Sequence, residues 1–387
     1  MSVTAAAGFR AAGVAAGLKA SGRPDVAVLV NDGPSPDAAG VFTSNRCKAN
    51  PVLWSEQALR RAGRVGGTAR AVVVSSGGAN CFTGAEGFAT AHATADTVAA
   101  ALGIGAIDVQ VCSTGLIGVL DHREVLLAGV KAAVTQLSRD GGSRAAEAIM
   151  TTDRVSKQTV VRGDGFTVGG MAKGAGMLAS ALATMLVFLT TDARVEAAGL
   201  DRALRRASRT TFDRLDSDGC TSTNDSVLLM SSGRGTAPDD DTFDAAVHAV
   251  CHDLAQQLLA DAEGADHEIA IEVRGAASDD DAVEVARSVA RSALFKCAVF
   301  GRDPNWGRIL AAVGTTRAAF DPGNLDVALG GVWVCRGSSP GEPADTVDLS
   351  GRRIAVTIDL KSGDAAATVW TNDLTHAYVH ENSAYAT

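Results

Sequence analysis

Short strand-like runs and Ala-rich helical runs are interleaved along this chain without a regular strand–helix–strand repeat, and several strands follow one another directly. Residues 25–32 (DVAVLVND), 70–78 (RAVVVSSGG) and 108–115 (DVQVCSTG) read as strands. Residues 83–103 and 121–137 read as helices, the second with Asp121 as its N-cap. A hairpin is expected over 158–174 with Gly-Asp-Gly at its turn, and a strand over 183–192. A helix at 195–215, a strand at 222–233, a helix at 240–264, a strand at 267–275 and one helix at 279–301 follow. The last third turns to strands at 332–335, 353–360 and 366–374, with 336–346 as a surface loop. This order predicts a mixed α/β (α+β) fold, in which mixed sheets are covered by helices, rather than a doubly wound parallel sheet.

Composition limits what such a chain can do. Of its 387 residues 46% are hydrophobic and only 4% aromatic, so the core must rest on Ala, Val, Leu and Gly. A net charge of −9 argues against nucleic acid as the main partner. No run reaches the roughly 18 uninterrupted apolar residues of a membrane span. The small, apolar N-terminus is broken by Arg10 and Lys19 and lacks a basic region before an apolar one, which leads to an expectation of a cytoplasmic protein. The seven cysteines are scattered with no CxxC, so reduced thiols are expected. His248 and His252 stand at helical spacing, but no further ligand pattern accompanies them, and no metal is expected.

Two Gly-rich stretches, 75–87 and 169–177, have the texture of anion loops but lack the Lys-Ser/Thr pair of a phosphate loop, so tight turns compete with that reading. Ser113, Thr114 and Gly115 end a strand with a hydroxyl and a glycine N–H, which is oxyanion-hole equipment or a plain strand-to-turn junction. Thr184 follows the small residue Ala183 and precedes the apolar run Met185 to Leu189. Cleavage before it would free an α-amino group, which titrates near about pH 8 and can serve as the base for its own hydroxyl. An ordinary threonine in a strand is the competing reading.

The motif series resembles one family, the ornithine acetyltransferases, also called glutamate N-acetyltransferases, of cyclic arginine biosynthesis. The likeness is carried by SGGANCFTG (76–84), CSTGLIG (112–118), AIMTTD (148–153), KGAGM with ATML (173–186), TSTND (221–225), DAEG (261–264), DPNWGRI (303–309) and HENSAYAT (380–387). The resemblance implies an αββα-type sandwich with a smaller C-terminal α/β part. It implies self-cleavage between Ala183 and Thr184 into an α chain (1–183) and a β chain (184–387) that stay intertwined as α2β2. Thr184 would be the nucleophile that carries acetyl from N-acetylornithine to glutamate, with Thr114 and Gly115 as the oxyanion hole. Thr151, Thr152, Lys173, Glu263, Asn382 and Thr387 would bind substrate, Lys173 at the α-carboxylate and Glu263 at an ammonium, with no cofactor.

Whether acetyl-CoA is a second donor stays open, since some relatives use it and others only recycle the acetyl group. A self-processed aminopeptidase or amidohydrolase of related fold is the alternative, and a nucleotide-binding protein built on the two Gly-rich stretches is a third. Ser180, Ala181 and Leu182 stand where the family often has Pro-Asn-Met, and Cys220 replaces a polar or acidic residue. Trp306 is expected to pack and Arg308 to pair.

Overall fold

The computed structural model describes residues 2–60, 65–176 and 185–384. They form two compact units. One is built from the described residues within 1–175, 181–213 and 221–258, the other from those within 176–180, 214–220 and 259–387.

The first unit holds two sheets. A four-stranded sheet has the order β1 (Phe9–Val14), β2 (Val26–Asn31), β5 (Ala71–Ser75), β6 (Val109–Ser113). A six-stranded sheet has the order β4 (Gly67–Thr68), β3 (Asp37–Phe42), β10 (Ser226–Ser231), β9 (Leu186–Thr191), β8 (Thr167–Lys173), β7 (Lys157–Arg162). Alternation decides the layers. Phe9, Leu29, Val72 and Val74 of the first sheet share one buried cluster with Met171, Phe188, Leu228 and Met230 of the second. The opposite faces carry Val28, Val30, Val73 and Val111, which pack against α2 (Gly84–Leu102) and α3 (Arg123–Thr135). Beyond the six-stranded sheet, α5 (Ala197–Thr210) packs on β3 and β10, and α6 (Asp240–Ala260) brings Val250 and Leu254 against Gly170 of β8. The result is helix, sheet, sheet, helix, in which each sheet buries both faces.

The scarcity of aromatic side chains fits this close layering. Helix α4 (Gly142–Ala148) lies so near β1 that a Cβ on Gly13 would stand 2.0 Å from the Arg144 carbonyl oxygen. Only glycine allows that approach. The hairpin of β7 and β8 forms in full register, and β8 continues into β9 with Lys173 opposite Leu186.

The second unit is a six-stranded sheet in the order β14 (Ser339–Pro340), β13 (Val332–Arg336), β12 (Asp326–Leu329), β15 (Arg353–Asp359), β11 (Glu268–Ala276), β16 (Ala365–Asn372). Ile269, Ile271 and Val273 of β11, with Val356 and Ile358 of β15, pack against α7 (Asp279–Ala290), α8 (Ala293–Phe300) and α9 (Trp306–Val313). The chain then runs into α10 (His376–Ala384). Trp306 packs against this core, and Arg308 donates to the Leu294 carbonyl at 2.7 Å.

Several sequence expectations change. The helix expected over 279–301 is two helices. Ser292 breaks it by accepting the Phe295 N–H at 3.2 Å on its hydroxyl, an N-cap in the middle of the apolar pattern. Asp121 does not cap α3, whose N-cap is His122. It is instead buried beside β5, where burial pushes its carboxyl up to about 6 against the hydrogen bonds of Ser75 and Gly78. β1, β3, β12, α4, α9, α10 and α1 (Asn50–Leu59) went unread, since each is short or rich in Ala and Gly. The loop at 336–346 carries the two-residue strand β14. Replacing Ser292 by Ala should cost about 1 kcal/mol of stability, read as a lower urea midpoint at unchanged slope. An unmoved midpoint would show that the break between α7 and α8 has another cause.

Candidate active site

β6 delivers the first group. Its last residue, Ser113, donates its hydroxyl to the Ala79 carbonyl at 2.7 Å, and Asn224 donates its side-chain amide to both Ala79 and Ser113 carbonyls at 2.6 and 2.8 Å. The chain then turns at Thr114 and Gly115. Gly115 has φ +139°, and a Cβ on it would lie 2.6 Å from the Gly77 carbonyl oxygen. The turn therefore demands glycine and locks the 112–118 stretch against the 76–84 stretch. Ala79 and Asn80 give their N–H groups to the Leu116 and Val119 carbonyls, so this loop is joined to its neighbour rather than arrayed as a phosphate cradle.

Thr114 is buried, and its hydroxyl oxygen accepts from Lys173 Nζ at 3.2 Å. The same ammonium donates to the Thr151 hydroxyl at 2.8 Å. Lys173 ends β8 and is 2% exposed, so three residues remote in sequence meet around one nearly dry cation. Thr152 lies half-buried on the same turn as Thr151.

Asp153 organises this cluster. Its Oδ2 accepts the Thr151 N–H at 3.0 Å, and its Oδ1 accepts the Gly174 N–H at 2.7 Å and Lys157 Nζ at 2.7 Å. Lys173 Nζ lies 4.0 Å from Oδ2. Burial alone would raise this carboxyl, but the charges of Lys173 and Lys157, with the Gly174 amide, hold it down at about 2.

Asp225, at the entrance to β10, shows the opposite balance. It is fully buried, its Oδ1 accepts the Met185 N–H at 2.9 Å, and no hydrogen bond of normal geometry reaches its Oδ2. Burial raises its carboxyl well above the ordinary range, which the Met185 amide, the nearby Ser222 hydroxyl and the charge of Lys173 offset only in part. Asp225 thereby grips the backbone of the residue that follows Thr184 in sequence.

In the second unit, Glu263 borders a cavity of about 240 Å³ with Asp218, Lys296 and Tyr378. Lys296 is engaged by the Ser217 carbonyl. Burial, with smaller contributions from the charges of Asp218, Cys220 and Glu263, pushes the Tyr378 phenol up to about 12, and Arg291 and Lys296 line the same cavity. Gly176 lies so close to Glu263 that a Cβ there would stand 2.5 Å from Oε2. Asn382 sits exposed on α10 and donates its amide to the Tyr378 carbonyl at 3.1 Å. Ala183, Thr184 and Thr387 lie outside the described residues.

Thr114, Gly115, Thr151, Thr152 and Lys173 thus fall in the first unit, and Glu263 and Asn382 in the second. Asp153, Lys157, Asn224 and Asp225 were not singled out from sequence. Asp153 and Asp225 close the motifs AIMTTD and TSTND, so the signal was present as a motif without an assigned role. Among the described residues no group of three or more His, Cys, Asp or Glu could hold a metal, and no helix is long and apolar enough to cross a membrane. His248 and His252 stack with ring centres 6.1 Å apart on the exposed face of α6. All seven thiols are free, four of them buried and three exposed.

The sequence profile of the ArgJ family matches residues 10–387. The arginine biosynthesis bifunctional protein ArgJ of Streptomyces coelicolor is 60% identical over 387 residues, covering 100% of both chains. Its namesake from Thermobifida fusca is 61% identical over 388 residues, again covering 100% of both. Among solved structures, the ornithine acetyltransferase complexed with ornithine from Mycobacterium tuberculosis is 57% identical, with a TM-score of 0.44, over 46% of this chain and 94% of that one.

The two buried carboxyls shape stability in opposite senses. Asp153 is held below the unfolded value of about 3.9, so its contribution is complete above about pH 4 and is lost as the pH falls towards about 2. Asp225 is held above that value, so its contribution is complete below about pH 4 and shrinks as the pH rises through its folded value. Asp225→Asn cannot ionise. Its melting temperature relative to the wild type should therefore climb as the pH rises above about 4. A difference that stays flat across thermal melts in that range would show that Asp225 is not held neutral.

Proposed function

The chain belongs to the ArgJ family, and from that premise we propose that it transfers the acetyl group of N2-acetylornithine to glutamate through an acetyl ester on Thr184, giving ornithine and N-acetylglutamate. The observation that supports this most is the meeting of Thr114, Thr151 and Lys173 at the end of β8. Leu186, opposite Lys173 in the sheet register, is the second residue after Thr184.

The chain cuts itself between Ala183 and Thr184 into residues 1–183 and 184–387. The six-stranded sheet supports their staying together, because β3, β4, β7 and β8 precede the cut while β9 and β10 follow it. Two copies of each chain assemble as α2β2 in the cytoplasm. The freed α-amino group of Thr184 takes the proton of its own hydroxyl as the oxygen attacks the acetyl carbonyl. The Thr114 hydroxyl and the Gly115 N–H stabilise the resulting oxyanion. The hydroxyl is suited to this: its oxygen accepts from Lys173, which leaves its own hydrogen to donate. Ornithine leaves with the returned proton, glutamate enters, and its amine takes the acetyl group from the ester.

Lys173 meets the α-carboxylate shared by both substrates, Glu263 meets an ammonium, and Thr151, Thr152, Asn382 and Thr387 are further substrate-binding residues. The reaction draws on no cofactor or metal. The bifunctional name of the relatives supports assaying acetyl-CoA as a second donor to glutamate.

Denaturing mass spectrometry of the purified protein should give two masses, those of 1–183 and 184–387. One full-length mass with activity intact would rule out the threonine mechanism. Thr184→Ala should remain uncut and inactive. Thr114→Ala should lower turnover about 10²-fold, the usual loss for one oxyanion donor, and unchanged turnover would remove it from that role. Release of acetate from N-acetylornithine without transfer to glutamate would favour a hydrolase instead.

A further inference from the structure

We propose that Asp153, with Lys157 as its counter-charge, is a positioning residue that sets the selectivity of this site for an amino-acid α-carboxylate. This rests on the reading of Lys173 as the group that meets that carboxylate.

The argument begins with where the two charges are. Asp153 and Lys157 are four residues apart across the entry to β7, their Oδ1 and Nζ are 2.7 Å apart, and both side chains are 0% exposed. A buried ion pair gains little stability over an apolar pair of the same volume, so stability alone is a weak reason for it. Its contacts suggest another. The carboxylate binds two backbone N–H groups, that of Thr151 at 3.0 Å and that of Gly174 at 2.7 Å. These flank the contact between Lys173 and the Thr151 hydroxyl. One side chain therefore fixes both pieces of chain that present the ammonium.

The carboxylate does this without taking Lys173 as a hydrogen-bond partner. Lys173 Nζ stays 4.0 Å from Oδ2 and turns its donors to the hydroxyls of Thr114 and Thr151. Lys157 makes that possible. Opposite charges attract far more strongly in a dry interior than in water. A lone Asp153 would draw Lys173 onto itself. With Lys157 in contact, the three groups sum to one positive charge, and the cation keeps its place against the two hydroxyls. The ligand class that gains from this is a free or N-acylated amino acid with an ionised α-carboxylate. The same molecule with a neutral carboxamide there gains nothing from the charge.

The test is calorimetric binding of ornithine and of its α-carboxamide, neither of which carries an acetyl group to transfer, to the wild type, to Asp153→Asn/Lys157→Met and to Lys157→Arg. The double variant removes both charges of the pair together, so neither is left without its partner, and Lys173 keeps its contacts with the Thr114 and Thr151 hydroxyls. The wild type should prefer the carboxylate at least tenfold. The double variant should lose at least tenfold of that preference. Its kcat/KM should fall at least tenfold more for N2-acetylornithine than for the α-carboxamide of that substrate, a difference that general loosening of the fold would not give. Lys157→Arg, which keeps the charge, should hold the preference within about threefold of the wild type.

A folded double variant whose preference stays within about twofold of the wild type overturns the proposal, as does a wild type that binds both ligands equally. Failure of both variants to fold would assign the pair to the core and also overturn it. Acetyl transfer by the wild type is assayed separately. A wild type that shows the binding preference but transfers nothing counts against the acetyltransferase reading and leaves the role of the pair standing.

Discussion

The carboxylate of Asp153 sits without solvent beside two ammonium groups, one in contact at 2.7 Å and one at 4.0 Å. Removing such charges from water costs several kcal/mol per ion unless hydrogen bonds and opposite charges replace the lost hydration. Here the replacement is complete at the carboxylate: an ammonium and two backbone N–H groups reach it, from β7, from the turn at Thr151 and from Gly174. The geometry of the candidate site follows from that requirement. The turn and the start of the Gly-rich stretch are held because the carboxylate needs their N–H groups, and Lys173 is carried between them.

Asp225 resolves the same problem in the other direction. It too is buried, but it has no cation in contact and only one backbone donor, from Met185. The favourable outcome for such a group is to keep its proton. One unit thus holds two carboxyls pushed in opposite directions, Asp153 downward just ahead of β7 and Asp225 upward just ahead of β10. Asp153 holds the N–H of Gly174 and Asp225 holds the N–H of Met185.

The sequence disclosed elements wherever an apolar period ran long enough. β2, β5, β6, β9 and β11 and helices α2 and α6 fall within a few residues of their expected ranges. It failed where a polar residue had two available roles. Ser292 lies inside an apolar helical pattern yet caps a new helix, and Asp121 stands at a helix start yet turns inward to β5. β1 was hidden for another reason. Its sequence, FRAAGV, is small because α4 presses on Gly13, and that partner lies over a hundred residues away. The site followed the same rule. Thr114, Gly115 and Lys173 stand out locally as a hydroxyl, a glycine and a lysine in a Gly-rich run. Asp153 and Asp225 act through contacts with backbone N–H groups distant in sequence, which no local pattern announces.

The arrangement of the sheets ties the two halves of the chain together. β8 and β9 pair along their whole length, from Val168 with Thr191 to Lys173 with Leu186. β10 then pairs in parallel with β9 and antiparallel with β3, so a strand from the first half of the chain borders the second half on each side. Phe188 and Leu228 fill the same buried cluster as Phe9, Leu29 and Val72. Separating the halves would break two full ladders and open the layer between the sheets. Buried hydrogen bonds from Gly174 to Asp153 and from Met185 to Asp225 add to this by fixing the chain at the inner ends of β8 and β9.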